Sequence, residues 1–177
     1  MELGEARYIA ERVVHKLVPV CERVLIAGSI RRQRPDVHDI DICCIPKRKP
    51  IKDLFGTIIK HVPIQEFCDQ IDSWEKLKGE ATGKYTRRLF EGVKVEISIC
   101  DASTYSIISL IRTGNSDFTH MLMTRALKCG FQQRDGHLWS NEGQIPIHSE
   151  EEYFRWLDLP YVPPQLRDAN AFRKVKV

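Results

Sequence analysis

Two carboxylates, Asp39 and Asp41, stand one residue apart in the segment DIDICCI at 39–45. In a strand, residues i and i+2 share a face, so both acids point one way while Ile40 and Ile42 pack the other way. Close carboxylates repel, and burial raises the cost of charging both. A divalent cation, or a pair of them, resolves this. Mg²⁺ takes hard oxygen ligands and keeps positions for water and substrate phosphates. Two such ions about 4 Å apart can clamp the attacking and leaving oxygens of an in-line displacement. Two metals usually need a third carboxylate, and Glu96 is the candidate, on a strand that could lie beside 39–45. Alone, an acidic pair also fits a plain polar strand face, and Glu96 with Lys94 and Ser98 fits a solvated one.

The residues upstream give the pair more weight. An apolar strand, VLIAG at 24–28, ends at Gly28-Ser29, and Arg31, Arg32 and Arg34 follow. Backbone N–H groups in such a turn can meet a phosphate; Gly28 lets the ligand approach closely and the Ser29 hydroxyl adds a donor. Arg32 can grip phosphate oxygens in bidentate fashion. Phosphate cradle, arginine and paired Asp, in that order, describe a site for a nucleoside triphosphate with Mg²⁺.

The elements that must position these groups follow from periodicity. Ile9, Val13 and Leu17 predict a helix over 3–19. Residues 50–62 read as a helix entered through Pro50. YTRRLFEGVKVEISI predicts a hairpin turning at Glu91-Gly92, with Val93, Val95, Ile97 and Ile99 on one face. After Asp101 the pattern becomes helical to 112, breaks at Thr113-Gly114-Asn115-Ser116, and resumes with Phe118, Met121, Leu122, Ala126 and Cys129 on one stripe. Gly130 stops that helix. Asp135-Gly136 marks a second hairpin, and Ser149 with Glu152 forms a capping box. Tyr161 to Pro164 reads as an extended exit. The division falls near residue 102, giving two subdomains at 1–102 and 103–177.

The chain has 177 residues, 42% hydrophobic and 29% charged, a composition that predicts globular structure rather than disorder. No apolar run is long enough for a membrane helix, and the N-terminus lacks the pattern of a signal peptide. None of the six cysteines forms a CxxC. They read as buried thiols in a reducing, intracellular setting, whether cytoplasm, nucleus or virion. The net charge of +3 identifies no partner. Basic clusters at Arg31/Arg32/Arg34, Lys47/Arg48/Lys49, Lys84/Arg87/Arg88 and Arg173/Lys174/Lys176 surround one acidic centre, however, which suits a polyanion.

Ser followed ten residues later by DxD resembles the nucleotidyltransferase signature, and GSIRR…DIDI resembles the palm of the family X DNA polymerases, the group of DNA polymerase beta. TGNSDFTHMLMTRALKCGF, DGHLW and IHSEEEYFRWLDLPYVPPQLR resemble that family's thumb, with Tyr161, Pro164 and Arg167 as its Tyr-x-x-Pro-x-x-Arg exit. The resemblance covers nearly the whole chain and is weakest between about 50 and 90. It implies an α+β fold: a nucleotidyltransferase-type palm with a mixed sheet and flanking helices, then a small α+β thumb. It also implies a palm-plus-thumb form lacking the family's N-terminal lyase domain, as in small viral members, with weak template grip and steep salt dependence.

The resemblance implies that Asp39, Asp41 and Glu96 are catalytic and ligate two Mg²⁺ ions, which Mn²⁺ can replace. Gly28, Ser29 and Arg32 would hold the triphosphate, and Thr113, Gly114 and Asn115 would lie along the nascent base pair. The expected reaction is attack of a primer 3′-hydroxyl on the α-phosphorus of a dNTP at short gaps in DNA, as in repair. Expected partners are primer-template or gapped DNA and a nucleoside triphosphate, with no membrane; a monomer is expected. Three positions depart from the family pattern. Glu96 replaces the usual Asp, Ile111-Arg112 replaces an aromatic pair that helps police the sugar, and Thr119 replaces an Asn. Two other readings therefore stay open: a template-independent or ribonucleotide-tolerant terminal transferase, and a degenerate DNA-binding module.

Overall fold

Leu3–Leu17 forms helix α1 because Ala6, Ala10, Val13 and Leu17 fall on one stripe, and all four are fully buried. It ends two residues before the expected limit, where the chain tightens into a 3₁₀ turn at Val18–Val20 around Pro19. The computed structural model describes residues 1–174; residues 175–177, with Lys176 of the terminal basic cluster, lie outside the described residues.

Strand β1 (Cys21–Ile26) leads through a single helical turn, α2 (Gly28–Arg31), to β2 (Ile40–Pro46), which pairs antiparallel with β1. Ile40, Ile42 and Cys44 enter the first core beside α1, together with Phe67 and Ile71. Each such side chain contributes about 1.5–3 kcal/mol by leaving water. The intervening residues of β2 face the other way, and there Cys43 is also buried.

Residues 50–62 are not the expected helix. They belong to a hairpin of β3 (Arg48–Lys52) and β4 (Ile58–Pro63). The turn explains the difference. Asp53 Oδ1 accepts from the backbone N–H groups of Phe55 and Thr57, and Gly56 has φ +85°. This Asx-type turn reverses the chain, and β-branched Ile58, Ile59 and Val62 favour the strand that follows.

Helix α3 (Gln65–Asp72) and strand β5 (Glu75–Lys78) come next, then β6 (Tyr85–Phe90) and β7 (Val93–Ile99). The β6–β7 turn falls at Glu91-Gly92 as expected, both with positive φ. The main sheet has the order β1-β2-β7-β6-β5. β2 and β7 run parallel and the remaining neighbours antiparallel. This is the mixed sheet with flanking helices.

Helix α4 (Tyr105–Thr113) packs on β2 and opens a second core, shared with α5 (Ser116–Lys128) and α6 (Glu150–Trp156). A three-stranded sheet of β8 (Gln132–Arg134), β9 (His137–Ser140) and β10 (Gly143–Ile145) lies between α5 and α6 in sequence. Asp135-Gly136 makes the β8–β9 turn, both residues again with positive φ. Ser149 caps α6 by accepting from the Glu152 N–H, and Glu152 returns a bond from the His148 N–H. A short helix, α7 (Ala171–Lys174), ends the described chain. Among the described residues no helix is long and apolar enough to cross a membrane.

One ion network joins the two cores. Arg31 of α2 donates to both oxygens of Glu150, at 2.6 and 3.1 Å, and to Thr113 Oγ1 at 2.7 Å. Arg167 donates to Glu150 Oε2 at 2.6 Å and to the Val162 carbonyl at 2.9 Å. Burial alone would raise the Glu150 carboxyl, but the bonds from Arg167 and Arg31 outweigh it and hold it below its ordinary range. Arg167 is wholly buried among the rings of Phe118, Phe154 and Tyr161. Removing one partner of such a network strands a buried charge, at a cost of about 3–5 kcal/mol. Arg167→Ala should lower the melting temperature by about 6–20 °C, at 2–4 °C per kcal/mol for a chain of this size. A thermal melt followed by circular dichroism checks this.

Candidate active site

β2 and β7 lie side by side, and the pairing register sets Glu96 opposite Asp41. Asp39 lies in the bend just before β2 and lines the same cleft as Asp41. Asp39 and Glu96 thus both stand close enough to act on Asp41, in the middle of the sheet, although Asp41 and Glu96 are 55 residues apart in the chain.

The turn after β1 presses on Asp41. Gly28 has φ +58°, and a Cβ built there would lie 2.0 Å from Asp41 Oδ2. Both the backbone angle and the space therefore require glycine. The Ala27 N–H also donates to the Asp41 carbonyl at 2.8 Å, which fixes the turn against β2.

A cleft of about 570 Å³ opens above the two aspartates. Its lining includes Ser29, Arg32, Asp39 and Asp41 on one side, and Arg112, Gly114 and Asn115 on the other. Arg32 reaches across it to donate to the Thr113 carbonyl at 2.6 Å, while its Nε has no partner. Burial and the neighbouring Arg34 lower the Arg32 guanidinium, with Asp41 opposing. Asn115 lines the cleft, yet its side chain also caps α5 by accepting from the Phe118 N–H at 2.9 Å. Thr113 is buried beneath the wall, with its hydroxyl on Arg31.

Asp41 is pushed up to about 7, first by burial, then by the charges of Asp39 and Glu96, against the pull of Arg112 and Arg32. The donor set at Asp39 and Asp41 therefore fits a divalent cation: two hard oxygens groups with repulsion that a cation relieves. Glu96 differs. Its carboxylate is ion-paired to Arg87, which faces it from β6, and Arg112 Nη1 lies 3.8 Å from its second oxygen. Arg112 also stacks over the Tyr85 ring at 5.1 Å. Among the described residues no group of three or more His, Cys, Asp or Glu side chains is arranged to hold a metal ion.

Arg87 and Arg112 are the partners that pattern reading did not assign. Arg87 was legible: a turn at Glu91-Gly92 sets residue 87 opposite 96. The basic cluster of Lys84, Arg87 and Arg88 does not present one face, because Arg87 and Arg88 are adjacent in β6 and face opposite ways. Arg87 goes to Glu96, buried Arg88 to Asp72 at 2.8 Å, and Lys84 to Asp135 at 3.2 Å.

Residues 109–168 match the DNA polymerase beta thumb family model. A comparison with curated protein sequences returned no match. Among solved structures, the chain is similar to Leishmania infantum polymerase beta, determined as a ternary P/T complex, with a TM-score of 0.72 and 16% identity. The likeness covers 95% of this chain and 76% of that one. The chain has a fold of the family X polymerase type, an α+β architecture with a mixed sheet.

Two outcomes follow from the charges. Between pH 4 and 7 the folded Asp41 keeps a proton that the unfolded chain, with an ordinary value of 3.8, has released. Its contribution to stability therefore falls as pH rises through that window. Thermal melts without divalent ions should show a downward slope there relative to Asp41→Asn, and Mn²⁺ should remove the difference. Separately, Arg87→Ala takes a competing cation from Glu96. Mn²⁺ should then bind severalfold more tightly by paramagnetic resonance titration; unchanged or weaker binding contradicts the assigned competition.

Proposed function

We propose that the chain is a DNA-directed DNA polymerase of the family X type that adds dNMPs to a primer 3′-hydroxyl in short gaps, as in DNA repair. The observation that carries this reading is the cleft itself. Asp39 and Asp41 form its floor beside the Gly28-Ser29 turn and Arg32, and Gly114-Asn115 faces them across a space of about 570 Å³. The likeness in fold to polymerase beta supports it.

In this reading Ser29 and Arg32 hold the triphosphate, Arg32 exchanging its bond to the Thr113 carbonyl for phosphate oxygens. Asp39 and Asp41 hold two divalent cations, Mg²⁺ or Mn²⁺, and Glu96 joins them once Arg87 turns away. Cations bound there would polarise the phosphoryl oxygens and neutralise charge that develops during transfer. The residues of the chain contribute position and fixed charge: Gly28 sets the turn on Asp41, and Gly114 and Asn115 bound the space left for the nucleotide. The reaction releases pyrophosphate, and the protein acts as an intracellular monomer.

A second reading is favoured by Ile111 and Arg112, which line the cleft. A flexible cation there polices a sugar less strictly than a rigid ring, as a template-independent or ribonucleotide-tolerant terminal transferase requires.

Primer extension on a single-nucleotide gapped duplex at low salt, with dNTPs or rNTPs and Mg²⁺ or Mn²⁺, decides between them. Templated dNMP addition is expected, and Asp41→Ala should reduce it by more than about 100-fold, beyond the loss typical of an outer-shell partner. Untemplated addition, or indifference to the sugar, selects the second reading. DNA binding with no addition under either metal leaves a binding module and overturns both.

A further inference from the structure

The hairpin Arg48–Pro63 has no part in the cleft, yet it is the most exposed apolar feature of the chain. At its tip Leu54 is 101% and Phe55 94% exposed, and Ile58 and Ile59 are exposed beside them. A two-stranded hairpin is marginal in water by itself, and contiguous apolar surface of this kind marks a contact site.

The charge around the tip indicates the partner. Lys49, Lys52 and Lys60 are exposed, and among the described residues none has an ion-pair partner. The one acid of the hairpin, Asp53, already accepts two backbone N–H groups in the turn. Lysine is depleted in protein–protein interfaces, so unpaired lysines around an apolar tip fit a polyanion better. Proteins that bend duplex DNA combine such cations on the backbone with Leu, Ile or Phe wedged between base steps.

Position supports the same partner. Arg48, at the root of the hairpin, lines a cavity of about 790 Å³ with Tyr85, Ser98 and Arg112. Ile111, Arg112 and Met123 line both that cavity and the cleft of the aspartates, so the two openings adjoin. Along β2, Pro46 lies five residue steps beyond Asp41, about 17 Å at the rise of a strand. That is roughly five base pairs of duplex at 3.4 Å each.

We propose that the Arg48–Pro63 hairpin is a DNA-gripping arm, its lysines on the phosphates and Leu54-Phe55 wedged into the minor groove of duplex several base pairs from the reacting end. The inference rests on the reading of the chain as a protein that acts on DNA, and it extends that reading to a contact outside the cleft.

The test uses the full chain and a gapped duplex carrying 2-aminopurine in the double-stranded flank. Two variants are compared with wild type: Leu54→Ser/Phe55→Ser, and Lys49→Ala/Lys52→Ala/Lys60→Ala. Both alter exposed side chains, and circular dichroism confirms that they fold. The lysine variant should lower the slope of log K against log salt by about 2–3, at roughly 0.9 per phosphate contact. The tip variant should keep the slope, weaken binding about tenfold, and lose the 2-aminopurine enhancement that signals unstacking. DNA that binds equally well with both variants overturns the arm and leaves the cleft reading intact. So does a wild-type dimer that the tip variant turns into a monomer, or tip-dependent binding to anionic lipid vesicles with DNA binding unchanged. Wild type that binds no DNA overturns the arm and the DNA-acting reading together, whereas extension that survives Asp41→Ala overturns only the cleft assignment.

Discussion

Glu150 accepts from two arginines at once, Arg31 from the turn after the first strand and Arg167 from the chain exit. Among the described residues the other ion pairs between the two halves are longer or exposed: Arg112–Glu96 at 3.8 Å, Arg34–Asp168 at 3.5 Å, and Lys84–Asp135, which is exposed and worth little. Arg31 sits in the same four-residue turn as Ser29 and is followed by Arg32. The carboxylate that joins the cores therefore also fixes the turn on which the phosphate-facing groups are mounted. Arg31 and Arg32 divide the work: one holds Glu150 and the Thr113 hydroxyl, the other the Thr113 carbonyl across the cleft. Both walls of the cleft are thus referenced to one residue, Thr113.

Around the three acids the electrostatics are balanced rather than uniformly acidic. Asp39, Asp41 and Glu96 are faced by Arg32, Arg87 and Arg112. The balance is unevenly distributed. Asp41 is left with its repulsion largely uncompensated and stands near 7, whereas Glu96 has two guanidinium neighbours. The aspartate pair is the part of the site that calls for a cation, and the glutamate is the part that has found one in the protein.

Much of this was legible in the sequence, for identifiable reasons. Alternation in 93–99 gave the face of Glu96, and Gly28-Ser29 before DIDI gave the turn, because both patterns follow from backbone geometry. The Glu91-Gly92 and Asp135-Gly136 turns were readable from residues that accept positive φ. The segment 50–62 was misread because Ile, Leu and Phe at mixed spacing satisfy a helix as readily as a hairpin. What decided it was Asp53 bonding to two backbone N–H groups, a local competition that hydrophobic periodicity does not register. The Glu150 network was beyond reach, since a glutamate in SEEE reads as an exposed first-turn residue until Arg31 and Arg167 are brought to it by packing.

The parallel pairing of β2 with β7 has a consequence for how the chain reaches its native state. Antiparallel neighbours such as β6 and β7 form from adjacent sequence, but Asp41 meets Glu96 only after the hairpin, α3, β5 and β6 have been bypassed or built. Closing so long a loop is paid for in entropy before any contact rewards it, which makes non-local pairing slow. The seam between β2 and β7 that joins Asp41 to Glu96 therefore closes the longest loop of the main sheet. Without that closure the β6–β7 hairpin can be complete while Asp41 and Glu96 stay apart.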